Sequence, residues 1–303
     1  MWYEASTDVQ TVCSKVREKQ AQRLSFPNSG GPALNHISHL RSACVSRRSV
    51  LGLEVSCFTY AEALGFVSEM ASLPLGQTII SFLNANNANI MLDDAQYREI
   101  LARQIILPDG IGVDIASTLV YGDKFPANLN GTDFVPALLT YIDRPRRIGL
   151  IGGLPDVVEK AAANFKRHAP WHDFVIVSDG YFEDADSGKV VERIEALKLD
   201  VLLVGLGSPK QEKWVDAHIR TEHARLVLGV GALFDFIGKA VPRAPRFLRR
   251  MRLEWMFRLL IEPKRLWRRY ILGNPRFILR SLRQAFIVRI LGRRHLDGSN
   301  IFR

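Results

Sequence analysis

From about residue 49 to residue 240, short apolar runs alternate with stretches of helical spacing, and nearly every apolar run ends in Gly, Asn or Asp. Strands joined by single helices assemble most readily into a parallel sheet covered on both faces. The expected fold class is therefore α/β, Rossmann-like. Strands are expected at Thr78–Leu83, Gln104–Leu107, Arg147–Ile151, Asp173–Val177, Val201–Val204 and Arg225–Val230, with 50–55 as a further strand or strand pair. Helices are expected over Tyr60–Ala71 behind a Thr59 cap, and over Ala88–Ala102, Gly112–Leu119, Phe134–Ile142, Pro155–His168, Ser187–Leu197 and Gln211–Arg220.

The flanks differ from this body. Residues 1–48 are mostly polar, with the turn-forming run Asn28-Ser29-Gly30-Gly31-Pro32, and read as a mobile extension. Residues 241–303 read as a basic, amphipathic, helical appendage. Between Arg243 and Arg294 there are 16 Arg and Lys against two acids, Glu254 and Glu262, so a segment of +14 follows a body near neutrality. Such a segment implies an anionic partner. Because Leu253, Trp255, Phe257, Leu266, Trp267, Phe277 and Phe286 are interleaved with the cations, an anionic membrane surface fits better than nucleic acid. Arg276, Arg280 and Arg283 fall on one helical face, and Leu279, Leu282, Phe286 and Ile290 on another. The simpler account is a surface helix packing its apolar face on the body. No run of 18 apolar residues is present, and the N-terminus lacks a basic-then-apolar leader. Three cysteines, Cys13, Cys44 and Cys57, make no paired pattern, so a reducing compartment, the cytoplasm, is expected.

Ligands in such folds sit beyond the carboxyl ends of the strands. There the sequence places Gly152-Gly153-Leu154-Pro155, Gly205-Leu206-Gly207-Ser208-Pro209-Lys210-Gln211-Glu212 and Gly229-Val230-Gly231. Glycines let a backbone approach an anion, and a helix N-terminus offers it unpaired N–H groups. Three such loops point to a nucleotide or nucleotide-sugar crevice, into which Lys210 and Gln211 can project; tight turns are the plainer alternative. Asn84, Asn86, Asn87 and Asn89 supply four amides suited to sugar hydroxyls, or a polar helix cap. Asp109, between Pro108 and Gly110 at a strand end, is a candidate general base, or an N-cap. Asn130-Gly131-Thr132-Asp133 opens another helix. Asp184-Ala185-Asp186 is the sole DxD and reads as a solvated loop; His168 and His172 lack partners at metal spacing. No metal and no cofactor are expected.

Taken in order, the Asn84/Asn86 segment, 108–113, 130–133, Gly152-Gly153, Asp179-Gly180-Tyr181-Phe182, 205–212, 229–231, Arg243-Ala244-Pro245, 253–255, Arg258, Glu262-Pro263, Arg265 and Arg268 resemble the WecG/TagA/CpsF family, glycosyltransferase family 26. The resemblance covers about residues 50 to 272. It implies an inverting, metal-independent transferase that passes a sugar from a UDP-sugar to a polyprenyl-diphosphate-linked saccharide at the cytoplasmic membrane face. It implies Asp109 as base, Asn84 and Gln211 as site residues, and Arg258, Arg265 and Arg268 as appendage arginines reaching the site. By the same resemblance, Asn86, Asn130, Asp133, Gly152, Gly153, Asp179, Gly180, Tyr181, Gly205, Gly207, Lys210 and Gly231 line the substrates. Phe82 and Asn128 depart from the family's frequent Thr and Arg. They move the expectation toward the exopolysaccharide branch and toward glucose rather than N-acetylmannosamine. A homo-oligomer is compatible with this reading. Two other classes compete: a nucleotide-binding dehydrogenase, for which GxGxxG is missing, and a non-catalytic membrane- or nucleotide-binding module, which leaves Asp109 and the glycine loops without work.

Overall fold

The computed structural model describes residues 46–73, 76–245, 247, 248, 251 and 253–290. The expected N-terminal extension therefore lies outside the described residues up to residue 45, as do residues 291–303. The chain enters as a hairpin, β1 (Arg47–Val50) and β2 (Leu53–Ser56), whose register pairs Val50 with Leu53. The two connecting residues, Leu51 and Gly52, both have positive φ, 52° and 84°, as a tight right-twisted hairpin requires. The strand pair expected over 50–55 is thus present and begins three residues earlier, at Arg47.

α1 (Tyr60–Met70) follows a capping box: Thr59 Oγ1 accepts the Glu62 N–H at 3.3 Å, and Glu62 Oε2 accepts the Thr59 N–H at 2.9 Å. Then come β3 (Thr78–Leu83), α2 (Ala85–Asp93), α3 (Ala95–Ala102), β4 (Ile105–Pro108), α4 (Ile111–Tyr121), α5 (Gly131–Tyr141), β5 (Arg147–Gly152), α6 (Pro155–His168), β6 (Asp173–Ser178), α7 (Ser187–Leu197), β7 (Val201–Gly205), α8 (Lys210–His218), β8 (Leu226–Gly229) and α9 (Leu233–Ile237). The appendage holds α10 (Glu254–Ile261), α11 (Pro263–Trp267), a π-helical turn (Arg268–Leu272) and α12 (Gly273–Ile290). The single helix expected over 88–102 is two, because Asp94 leaves the helical region and caps α3 by accepting the Tyr97 N–H at 3.0 Å.

Six strands form one parallel sheet in the order β4-β3-β8-β7-β5-β6. Alternate residues feed opposite layers, as pleating demands. Ile80, Phe82, Ile148, Leu150, Val201, Leu203, Leu226 and Leu228 pack under α1, α5, α6 and α9. Leu202, Val204, Val227 and Ile151 face α7 and α8. A third cluster joins the hairpin, α2, α3, α4 and α12 over the β3–β4 edge, and Phe277 of α12 is fully buried in it. The β5 connection runs outward to the edge strand β6, whereas β7 leads inward to β8. Neighbouring strands departing in opposite directions open a crevice at their carboxyl ends.

Candidate active site

At that opening the loops touch backbone to backbone. A Cβ on Gly152 would sit 2.4 Å from the Gly205 carbonyl oxygen, and one on Gly205 would meet the Phe234 ring at 2.8 Å. Only glycine fits either place. The Gly180 N–H donates to the Gly153 carbonyl at 2.8 Å, drawing the β6 loop against the β5 loop. Asp179 closes a turn by accepting the Tyr181 N–H at 2.8 Å, while the Tyr181 ring stands 72% exposed at the rim. The Lys210 ammonium lies 5.5 Å from the Phe182 ring centroid on the same side. At Gly207 and Gly231 the space a side chain would fill is open, and both have positive φ.

Asp109 stands at the end of β4, three strand positions or about 14 Å from β7. Its own N–H is held by the Leu83 carbonyl at 2.9 Å. The N-cap of α4 is Gly110, and the Asp109 side chain does not cap the helix. The Gly110 N–H goes to Asn128 Oδ1 at 2.8 Å. The side chain of Asp109 instead meets Asn84, whose Nδ2 donates to Oδ2 at 3.4 Å. Asn84 also caps α2 through its Oδ1, which accepts the Asn87 N–H at 3.0 Å. Burial pushes the Asp109 carboxyl up to about 6; Asn84 and the Arg269 guanidinium pull it back, and the negative Glu254 and Asp133 add to the rise. A carboxyl poised near neutrality, on a rigid strand end, suits proton abstraction.

The other expected residues divide. Asn130 caps α5, accepting the Asp133 N–H at 2.9 Å. Both Asp133 oxygens are engaged, Oδ2 by Asn130 at 3.1 Å and Oδ1 by Arg243 at 2.7 Å, so its side chain fastens the appendage. Arg243 also reaches Glu254 at 3.3 Å. Arg243 and Arg258 lie over the Phe236 ring, at 5.7 and 5.0 Å from its centroid. Arg265 is 57% exposed and pairs with Glu262 at 2.6 Å. Arg268 is exposed and lies over the Trp267 ring. The spacing of Arg258, Arg265 and Arg268 suggests one shared face, but α10 stops at Glu262 and the backbone widens to a π turn from Arg268. The extra residue per turn rotates the phase, and it is Arg269 that acts on Asp109, with its Nε buried and without a partner among the described residues. Sequence spacing carries no signal for Arg269.

Gln211 is 3% exposed and its amide is fully engaged inside the protein, not free for a ligand. Asn86 stays near the opening, its Nδ2 3.5 Å from Asn87 Oδ1. Asp184 and Asp186 form a short turn in which Asp186 pairs with Lys189 at 2.8 Å. Among the described residues no three His, Cys, Asp or Glu side chains cluster to hold a metal ion.

The model of the "Glycosyl transferase WecG/TagA/CpsF family" matches residues 48–290. Two curated relatives carry the name N-acetylglucosaminyldiphosphoundecaprenol N-acetyl-beta-D-mannosaminyltransferase. The protein from Bacillus spizizenii is 32% identical over 231 residues, 75% of this chain and 88% of the relative. That from Bacillus subtilis is 31% identical over 208 residues, 68% and 79% of the two chains.

Proposed function

Since the chain belongs to the WecG/TagA/CpsF family of glycosyl transferases, we propose that it moves a hexose from a UDP-sugar to a polyprenyl-diphosphate-linked saccharide, with Asp109 as the base. The observation that carries the reading is Asp109 itself: a carboxyl near pH 6, held by Asn84 beside Arg269, across the sheet from the glycine loops of β5 and β7.

The nucleoside lies against Gly152, Gly153, Gly205 and Gly207, with Lys210 at the rim, and its diphosphate extends across β8 and β3 so that the anomeric carbon bonded to it comes beside Asp109. There the carboxylate removes the proton of the acceptor hydroxyl as its oxygen attacks the anomeric carbon from the face opposite the departing diphosphate, which inverts that centre. Charge gathering on UDP needs cations. Among the described residues Arg258, over the Phe236 ring, and Arg269, which acts on Asp109, are candidates, and guanidinium pairs bidentately with phosphate oxygens. Turnover is expected to survive EDTA; a restored requirement for manganese or magnesium would return attention to Asp184 and Asp186.

The names of the relatives favour N-acetylmannosamine as the donor sugar. Phe82, packed on Gly131 and Phe134, and Asn128, holding Gly110, favour glucose, because each replaces a residue frequent in the family. Assaying UDP-glucose and UDP-N-acetylmannosamine with a polyprenyl-diphosphate-linked N-acetylglucosamine decides between them. Failure of every UDP-sugar to transfer would overturn the reading.

The exposed apolar stripe of α12, Leu279, Leu282, Phe286 and Ile290, beside Arg283, supports docking on an anionic membrane surface where such acceptors reside. Among the described residues no helix is long and apolar enough to cross a membrane.

A further inference from the structure

Two loops of the crevice, β7–α8 and β8–α9, are joined by a single side chain. The Gln211 Oε1 accepts the Gly207 N–H at 3.2 Å and the Gly231 N–H at 3.0 Å. Its Nε2 donates to Glu212 Oε1 at 2.9 Å and to Ser208 Oγ at 3.4 Å. A primary amide has two acceptor sites and two hydrogens, so all four are used. The amide also lies tight against β8: a Cβ on Gly229 would fall 2.8 Å from Gln211 Nε2.

What fixes the direction of this amide is its neighbour. Glu212 is 2% exposed, and its Oε1 accepts from Ser208 Oγ at 2.7 Å as well as from Gln211. Glu212 Oε1 is held as an acceptor by the Ser208 hydroxyl and the two loop groups are N–H donors, so the nitrogen of Gln211 faces Glu212 and its oxygen faces the two loops. Ser208 carries the network on to α2, accepting from Asn87 Nδ2 at 3.3 Å, and Asn87 donates to the Phe82 carbonyl at 3.0 Å.

We propose that Gln211 is a positioning residue, oriented by Glu212, that staples the Gly207 and Gly231 loops into the shape that receives the donor's nucleoside diphosphate, and that it does not touch the donor. The proposal rests on the transferase reading above. The donor meets the open faces of these glycines, where no side chain intervenes, and the staple keeps the two faces at a fixed separation. Glu212 has no route to the donor of its own, so any effect it has on donor affinity passes through Gln211.

The test is a set of isosteric exchanges. Gln211→Glu keeps an acceptor for both loop amides but sets a second carboxyl 2.9 Å from Glu212. Donor KM should rise about tenfold or more, with kcat at saturating donor and acceptor KM held within about threefold. Adding Glu212→Gln restores a donor–acceptor pair with its direction reversed: the amide placed at position 212 donates to the carboxylate placed at position 211, which still accepts from Gly207 and Gly231. The double variant should recover donor KM. Glu212→Met, which changes neither charge nor shape at position 211, should raise donor KM as well, and Glu212→Gln alone should not. Amide hydrogen exchange over 205–211 and 229–233 should quicken in Gln211→Glu and Glu212→Met and return to normal in the double variant. A double variant as poor as Gln211→Glu would mean that Gln211 contacts the donor, and would overturn the proposal. So would a loss of thermal stability in Glu212→Met with donor KM unchanged, or unaltered exchange in both single variants. If the wild-type protein neither binds UDP nor transfers sugar while the exchange pattern holds, the transferase reading fails and the staple stands.

Discussion

At the scale of single residues the site is governed by one acid and its surroundings. Asp109 titrates near 3.8 when free and at about 6 in the fold, so the folded chain holds that proton more tightly than the unfolded chain. The sign follows: relative stability is greatest below 3.8 and falls by up to about 3 kcal/mol as pH rises through 6. Asp109→Asn should remove that loss. Urea unfolding at pH 8 should find the variant about 1–3 kcal/mol more stable, and at pH 3 the difference should vanish. Catalysis needs the ionised form, so kcat/KM should climb through an acid limb near pH 6. Arg269 lowers the Asp109 value, so Arg269→Ala should move that limb to higher pH, whereas Arg268→Ala should leave it in place. The sequence places Asp109 at a strand end but leaves it open between a base and an N-cap; the structure gives the cap position to Gly110 and turns the Asp109 side chain to Asn84. Arg269 was not legible, because the π turn that aims it is a local change of helical phase that spacing does not reveal. Gln211 and Asp133 were legible as important but not as internal ties, since burial and partner choice depend on strands far apart in the chain.

At the scale of elements, α12 belongs to the body more than its composition suggests. Phe277 is fully buried among Val50, Leu51, Leu83 and Val113. Gln284 Oε1 accepts the Leu51 N–H at 3.0 Å and its Nε2 donates to the Ser49 carbonyl at 3.2 Å, which holds the positive-φ hairpin turn. Arg276 and Arg280 are spent on Asp93, at 3.1 and 2.9 Å, and Arg280 also meets Asn89 Oδ1 at 3.0 Å. For Arg276 and Arg280 the anionic partner is Asp93 of α2, within the chain. Phe277→Ala should cost about 3–5 kcal/mol and Gln284→Ala about 1–3, read by chemical unfolding. Truncation after Lys239 removes Phe277 and should destabilise the β1–β2 hairpin rather than leave an intact body. The strands and the helices Pro155–His168 and Ser187–Leu197 were legible from periodicity alone. The break at Asp94 was not, because an apolar stripe can run straight across a capped junction.

At the scale of the molecule, the sheet separates two kinds of groups: glycine loops at the ends of β5, β7 and β8, which the proposal above assigns to the donor, and amides with an acid at β3–β4, which it assigns to the acceptor. The appendage spans them, tied to α5 through Arg243, Asp133 and Glu254. Its outer face leaves Leu279 and Phe286 69% and 65% exposed. Leu282→Glu with Phe286→Glu should abolish flotation with anionic liposomes while UDP affinity stays within about twofold, since neither side chain faces the crevice. Flotation unchanged by these charges would remove the membrane from the account.

Whether Asp109 is the base of a sugar transfer is decided by the single-turnover rate of Asp109→Asn beside wild type at about pH 7.5, with UDP affinity measured on the same samples. The rate should be lower by about 100- to 10,000-fold with UDP affinity nearly unchanged. A variant that keeps more than about a tenth of the wild-type rate would contradict this, because loss of a general base typically costs about 100-fold or more.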